Sequence, residues 1–361
     1  MRGQALLSWV ATLGTAASAL VGSSAALPAQ APERFELRGE RVAIYNLAGH
    51  ATVEAGSGPA VVVEVRRGGA DAARLRVERG PIGDAETLRI VYPDDRLVYR
   101  PDDAWRGRST VRVRDDGTFN DWSRDRGRRS GREVEIRDAG PGLDAHADIR
   151  ILVPRGRQIA VYLAVGRMDA TGLAGDVLLD GGATAVTVAR SSGTIRVDVG
   201  SGSVRSSDTE GELDVDTGSG SVDVTGHTGR MLRLDTGSGS VSLQGVRVEE
   251  LNVDTGSGDV TGSNVTAKTV LVDTGSGSVD LAFAGPPGDL AVDTGSGDVT
   301  LGLPAGFGAR VELETSSGGI ELDFPLTMQR WERDHVVGTI GSGGGQMKIE
   351  TGSGDIRLRR S

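Results

Sequence analysis

From Asp198 onward apolar and polar residues alternate almost without a break. The stretch "LDVDTGSGSVDV" (Leu213 to Val224) has the form φ-x-φ-D-T-G-S-G-x-φ-x-φ. The same form carries the apolar pairs Leu232/Leu234 with Val241/Leu243, Val270/Val272 with Val279/Leu281, and Leu290/Val292 with Val299/Leu301. Strict period two means strands with one buried face, and nothing in this region has the period of a helix. DTGSG begins at Asp216, Asp235, Asp254, Asp273 and Asp293, flanked by DVGSG at Asp198, ETSSG at Glu314 and ETGSG at Glu350. The full copies are spaced by 19, 19, 19 and 20 residues, which is the mark of stacked repeats. The pattern predicts an all-β chain, a β-helix-like β-solenoid of stacked 19-residue two-strand coils paired in parallel. Its rival is an antiparallel meander of hairpins, because Gly-Ser-Gly also turns a hairpin. Counting by twos points Asp216 and its equivalents outward as a ladder, and turns Thr217 inward at the corner.

The N-terminal half alternates too, with a blurred repeat, in "RVAIYNLAGHATVEAGSGPAVVVEV" (Arg41 to Val65) and "ADIRILVPRGRQIAVYLAVGRMDATG" (Ala147 to Gly172). One domain over 32–361 is therefore expected, with irregular coils over about 40–172, regular DTGSG repeats over about 175–324 and a last coil at 346–358. Residues 101–133 interrupt it as an Arg-rich, exposed excursion, partly disordered because it is charged and poor in aliphatic residues. Ahead of the domain, Arg2 and an apolar run from Ala5 to about Val21 read as a secretory signal peptide, 1–26 with cleavage after Ala26, or alternatively 1–31. The expectation is an exported protein, periplasmic or at the cell surface, and not integral to the membrane once the signal is removed.

Composition agrees with this picture. The 55 glycines and 4% aromatic residues suit closely stacked strands better than a compact enzyme core. With no cysteine, disulfides, thiolate chemistry and Cys-based metal sites are excluded, as is lipid attachment behind the signal. The net charge is −10, and 198–300 alone holds 17 acidic residues against 5 basic ones. Such a surface argues against nucleic acid as a partner, since phosphate backbones are gripped by cations.

The alternating strands ending in "ADIRILVPRG", the reiterated "VDTGSGSVDV" and the closing "GSGGGQMKIETGSGDIRL" resemble the bacterial putative-adhesin family of β-strand-repeat proteins, a domain of unknown function. The resemblance runs from about Val42 to Leu358. It implies a β-solenoid in the cell envelope or on the surface and brings no catalytic residues with it.

Asp-Thr-Gly-Ser is also the motif of pepsin-like proteases, which bring two aspartates together from two lobes. A repeat of 19 residues is too short to build a lobe around each copy. Asp254/Asp259 and Asp293/Asp298, the DTGSGD copies, are weak Ca2+ candidates, against which stands ordinary solvated charge. A polysaccharide-cleaving enzyme on a β-helix would need Arg, Lys, His or aromatic residues near its carboxylates, and the repeats have few. No cofactor is expected. The excursion is different: Trp105, Arg106, Arg108, Trp122, Arg126, Arg128 and Arg129 combine cations with aromatics, a set that can grip an anion or a partner protein. The reading reached from sequence is a non-enzymatic, exported interaction scaffold binding a protein or glycan at the envelope. Its alternatives are an envelope-stress or signalling accessory domain that binds a membrane protein, and a carbohydrate-active enzyme.

Overall fold

The computed structural model describes residues 31–100, 105–120 and 131–361. The proposed signal peptide lies outside them. Among the described residues the only helix is a single 3-10 turn, Ala72–Arg74, and everything else regular is strand. The repeats decide between the two sequence-based topologies, because their strands pair in parallel. Glu210–Thr217 pairs with Thr228–Thr236, which pairs with Arg247–Thr255, which pairs with the 266–274 half of the strand Val260–Thr274. A second series stacks beside it: Val204–Ser207, Val222–Thr225, Val241–Gln244, the 260–263 half of Val260–Thr274, then Val279–Phe283. Equivalent residues face each other throughout, Leu213 against Leu232 and Val222 against Val241.

The two series form the walls of a β-solenoid-like stack, and their inward residues fill it. Leu213, Val215, Leu232, Leu234, Val253, Val222 and Val241 are all fully buried. Burying a Val or Leu contributes about 1.5–3 kcal/mol each. The glycine-rich corners let successive repeats approach closely while the aliphatic side chains between the walls supply the stabilisation.

Both ends are closed by antiparallel pieces. At the start, Arg41–Ala55 takes part in both walls and pairs in parallel with Gln158–Thr171. Outside it lie Ala85–Val91 with its antiparallel partner Arg76–Ile82, and His146–Val153 with Val61–Gly68 and Glu33–Leu37. At the far end the hairpin Leu326–Trp331 and His335–Ile340 covers the strand Ala309–Thr315.

The C-terminal repeat is not where its sequence position suggests. Gly345–Thr351 lies between Asp289–Thr294 and Ala309–Thr315, pairing in parallel with both. Ile356–Arg360 likewise lies between Val299–Leu303 and Ile320–Leu322. The segment at 346–358 is thus last in the chain but next to last in the stack. Spacing alone could not show this, because the order of stacking is a long-range property.

The Arg-rich excursion also differs from its expected exposed form over 105–120. Arg108–Val113 pairs antiparallel with Arg132–Arg137 in a small four-stranded sheet completed by Arg96–Val98 and Leu143–Asp144. Val111, Val113 and Phe119 are buried. Few but well-placed apolar residues suffice to dock this segment on the stack.

Candidate functional site

The DTGSG corners hold the residues of the protease-like motif. Each corner threonine is buried, Thr217, Thr236, Thr255, Thr274 and Thr294 alike. Its hydroxyl accepts from the amide three residues on: Gly239 N to Thr236 Oγ1 and Gly258 N to Thr255 Oγ1 are both 3.0 Å. The same hydroxyl donates to the preceding repeat, Thr236 Oγ1 to Gly220 O and Thr255 Oγ1 to Gly239 O at 3.1 Å. One Oγ therefore closes its own turn and ties two repeats together. The second glycine of the motif has no alternative: a Cβ on Gly220, Gly239 or Gly258 would fall well inside 3.0 Å of the glycine carbonyl one repeat back. Thr and Gly are explained by the corner itself.

The aspartates point outward, in register from Asp180 through Asp198, Asp216, Asp235, Asp254, Asp273 and Asp293 to Glu350 and Glu314. Partial burial raises the pKa of Asp198, Asp216, Asp235 and Asp273, and the neighbouring carboxylates of the ladder add to the rise. Asp259 Oδ1 accepts from Ser278 N at 2.9 Å. Asp298 accepts from Asp355 N at 2.9 Å and from Arg357 Nη1 at 2.8 Å, and the Arg357 bond lowers its pKa. Of the four Ca2+ candidates, Asp259 and Asp298 thus bond along the stack, while Asp254 and Asp293 stand in the ladder. Among the described residues no three His, Asp or Glu side chains group as a metal site would require.

At its N-terminal end the ladder changes character. Its register positions become Tyr162 and Tyr45, stacked with ring centroids 4.4 Å apart. Phe119 meets Tyr45 edge-on at 5.7 Å, and Asn120 Nδ2 donates to Asp180 Oδ1 at 2.9 Å. Phe119 and Asn120 therefore cover the start of the ladder.

Around the same corner the excursion's other arm forms a cleft of about 600 Å³. Its floor is the first corners of the stack, Gly166, Ala183, Thr184, Ala185, Ser201 and Gly202, all small. Gly166 sits at φ 140° with no room for a Cβ above the carbonyl of Gly49, so that position of the floor cannot carry a side chain. The walls are His50, Tyr99, Arg100, Trp105, His146, Asp148 and Arg167. His50 Nε2 and Asp169 Oδ2 are 2.7 Å apart, Arg167 Nε bonds Asp169, and the amide of His50 donates to Asp148 Oδ1 at 3.0 Å. The hydrogen bond that His50 makes to the Asp169 carboxylate raises its pKa. Burial alone would raise Asp169, but its bonds to His50 and Arg167 hold it low. Arg100 lies 3.6 Å from Asp144, and the rings of Tyr99 and His146 meet at 5.3 Å.

Of the predicted binding residues, Trp105 lines this cleft and packs on the core. Arg106 is exposed, and Arg108 pairs instead with Glu135 at 3.4 Å. Trp122, Arg126, Arg128 and Arg129 lie outside the described residues. Sequence reasoning missed His50, Arg100, His146 and Arg167. A signal was present in "GH" at 49–50 and "GR" at 166–167, two glycine–cation steps that the structure aligns in register.

Parallel stacking with equivalent corners defines a β-solenoid-like repeat protein. The family model Toastrack DUF4097 matches residues 142–359, more than half of the chain, and the chain belongs to that family. No curated protein matches it at a significant level. Among solved structures, a putative cell adhesion protein from Clostridium sporogenes ATCC 15579 aligns over 91% of this chain and 100% of its own. The identity is 10% and the TM-score 0.20, too loose a superposition to define a shared fold.

Proposed function

We propose that this protein is an exported, non-enzymatic scaffold of the adhesin-like kind, a β-solenoid of 19-residue two-strand coils that binds a partner at the cell envelope. The observation that carries this reading is the equivalence of the corners. Four of the five DTGSG copies spend the same threonine and glycine atoms on the same turn bond, and the aspartates beside them form a row of like positions. Acid–base catalysis on paired carboxylates needs two groups in unlike environments, and a row of alike positions works against that. What the stack supplies is a rigid frame, on which the excursion builds one site unlike the rest.

Export rests on the leader sequence and is tested by expressing the full chain in a bacterial host and sequencing the N-terminus of the product. A mature chain beginning at Leu27, recovered from periplasm, medium or surface, is expected. A cytoplasmic product that keeps Met1 would overturn it. The scaffold role is tested by retention of the purified protein on envelope preparations without chemical change to either. Absence of retention by every envelope fraction would count against it.

A further inference from the structure

We propose that the cleft beneath Trp105 is a saccharide-binding site selective for an acidic sugar, a uronate carrying one carboxylate per ring. It deepens the scaffold reading and rests on it in one respect only, that the cleft binds without turning over.

Three features argue for a ligand of this chemistry. The first is the floor. Gly166 and Gly202 keep part of the floor open, because a Cβ on either would fall inside 3.0 Å of a backbone carbonyl on the neighbouring strand. The space persists as a consequence of the stack, and its size matches one or two sugar rings.

The second is the pairing of an aromatic with donors. Trp105 is partly buried against the core, so its indole is held in place, and it shares the cleft with Arg100 and His50. An indole face packs on the C–H face of a pyranose, while guanidinium and imidazole groups bond hydroxyl and carboxylate oxygens.

The third is charge. The chain is acidic overall and the ladder around the corner is a row of carboxylates, yet the cleft gathers the guanidinium groups of Arg100 and Arg167 with the imidazole of His50. The carboxylates near them are already engaged: Asp169 bonds His50 and Arg167, Asp148 accepts from the His50 amide, and Asp144 faces Arg100. Asp169 is one carboxylate shared by His50 and Arg167, and Arg100, 57% exposed, comes only within 3.6 Å of Asp144, so its guanidinium still has donors to offer an anionic guest.

The test uses the mature chain and two probes of equal length, trigalacturonate and neutral galactotriose, followed by calorimetry and by tryptophan fluorescence. Trigalacturonate is expected to bind with at least about tenfold preference over galactotriose. Arg100→Gln, at an exposed position, is expected to weaken it by about tenfold or more, with an unchanged melting temperature. Trp105→Phe, which keeps an aromatic body against the core, is expected to weaken both probes and to shift the fluorescence response. Equal binding of the two sugars, no binding at about 5 mM, or an Arg100→Gln variant that binds like the wild type would each overturn the proposal. Chromatography of the recovered sugar separates the two readings. Intact trigalacturonate supports both, whereas bound and cleaved trigalacturonate keeps the site and overturns the non-enzymatic scaffold.

Discussion

Thr255 shows how much one side chain does in this fold. Its hydroxyl accepts from Gly258 N and donates to Gly239 O, so Thr255→Val keeps shape but leaves both backbone groups without that partner. A loss of about 1–3 kcal/mol is expected from urea unfolding, with Thr255→Ser near the wild type. A valine variant as stable as the wild type would show that water replaces the hydroxyl. Gly258→Ala should cost more, above about 3 kcal/mol, because its Cβ meets backbone and not a flexible side chain. Titration divides the residues into opposing sets. Asp198, Asp216, Asp235 and Asp273 have raised pKa values in the native state. The native state therefore takes up their protons first, and acidification through their range stabilises it. His227 acts in the other direction. It is buried with Nδ1 against Thr209 Oγ1 at 2.9 Å, and burial lowers its pKa. The unfolded chain protonates first at that residue, so stability is lost as pH falls below about 6.5. His227→Val continues the column that Val246 begins one repeat later. On acidification from pH 7.5 to 5 its melting temperature should fall less, or rise more, than the wild type's, because it has no buried imidazole to protonate. Parallel profiles for the two proteins would exclude His227 as the opposing group.

At the scale of strands, local pattern and long-range order part company. Alternation and the glycine-rich corner were readable residue by residue: Leu213 and Val215 inward, Thr217 inward, Asp216 outward. Each follows from the period of a strand and from what a close approach of two backbones allows. Three features were not readable. The docking of 105–120 depends on Phe119 meeting Tyr45, 74 positions earlier in the chain, and no local rule encodes such a meeting. The cleft residues come from five separate strands and the loops beside them, so no spacing in the sequence links His50 to Arg100 or Trp105. The third is the insertion of Gly345–Thr351 and Ile356–Arg360 between repeats made earlier. This insertion makes the C-terminus a wedge. Without residues 344–361, four strands, Asp289–Thr294, Val299–Leu303, Ala309–Thr315 and Ile320–Leu322, lose partners at once and present open edges. The truncated chain is expected to aggregate or to lose more than about 3 kcal/mol. A synthetic peptide of residues 344–361 added during refolding should restore a soluble monomer. A truncated protein that is monomeric and melts like the full chain would show that the wedge is dispensable.

Across the whole molecule, the end pieces and the repeats carry different duties. The N-terminal strands and the excursion form the cleft, the C-terminal hairpin and wedge close the far end, and the repeats between are nearly interchangeable. Interchangeability has a physical basis: each repeat bonds only the one before and the one after, so stability is close to a sum over neighbours. Val253→Asp tests the negative side, since an unpaired carboxylate between the walls should destabilise its own repeat and both neighbours by several kcal/mol, about 3 or more. The positive side is tested by excision. Removing residues 236–254 joins Asp235 to Thr255 and takes out one whole period, so every column closes on its own equivalent: Leu234 meets Val272 and the corner hydroxyl of Thr255 meets Gly220. The shortened protein should fold, with far-ultraviolet dichroism of the same shape and a long axis shorter by about 4.8 Å in solution scattering. The cleft, several repeats away, should bind its sugar unchanged. Excision of 236–245 instead removes one corner and the whole strand Val241–Gln244, so one wall loses a strand that the other wall keeps and the two series no longer match. That variant should not fold. If both excisions fold equally well, the columns do not hold the stack together, and the repeats are spacers with no register to keep.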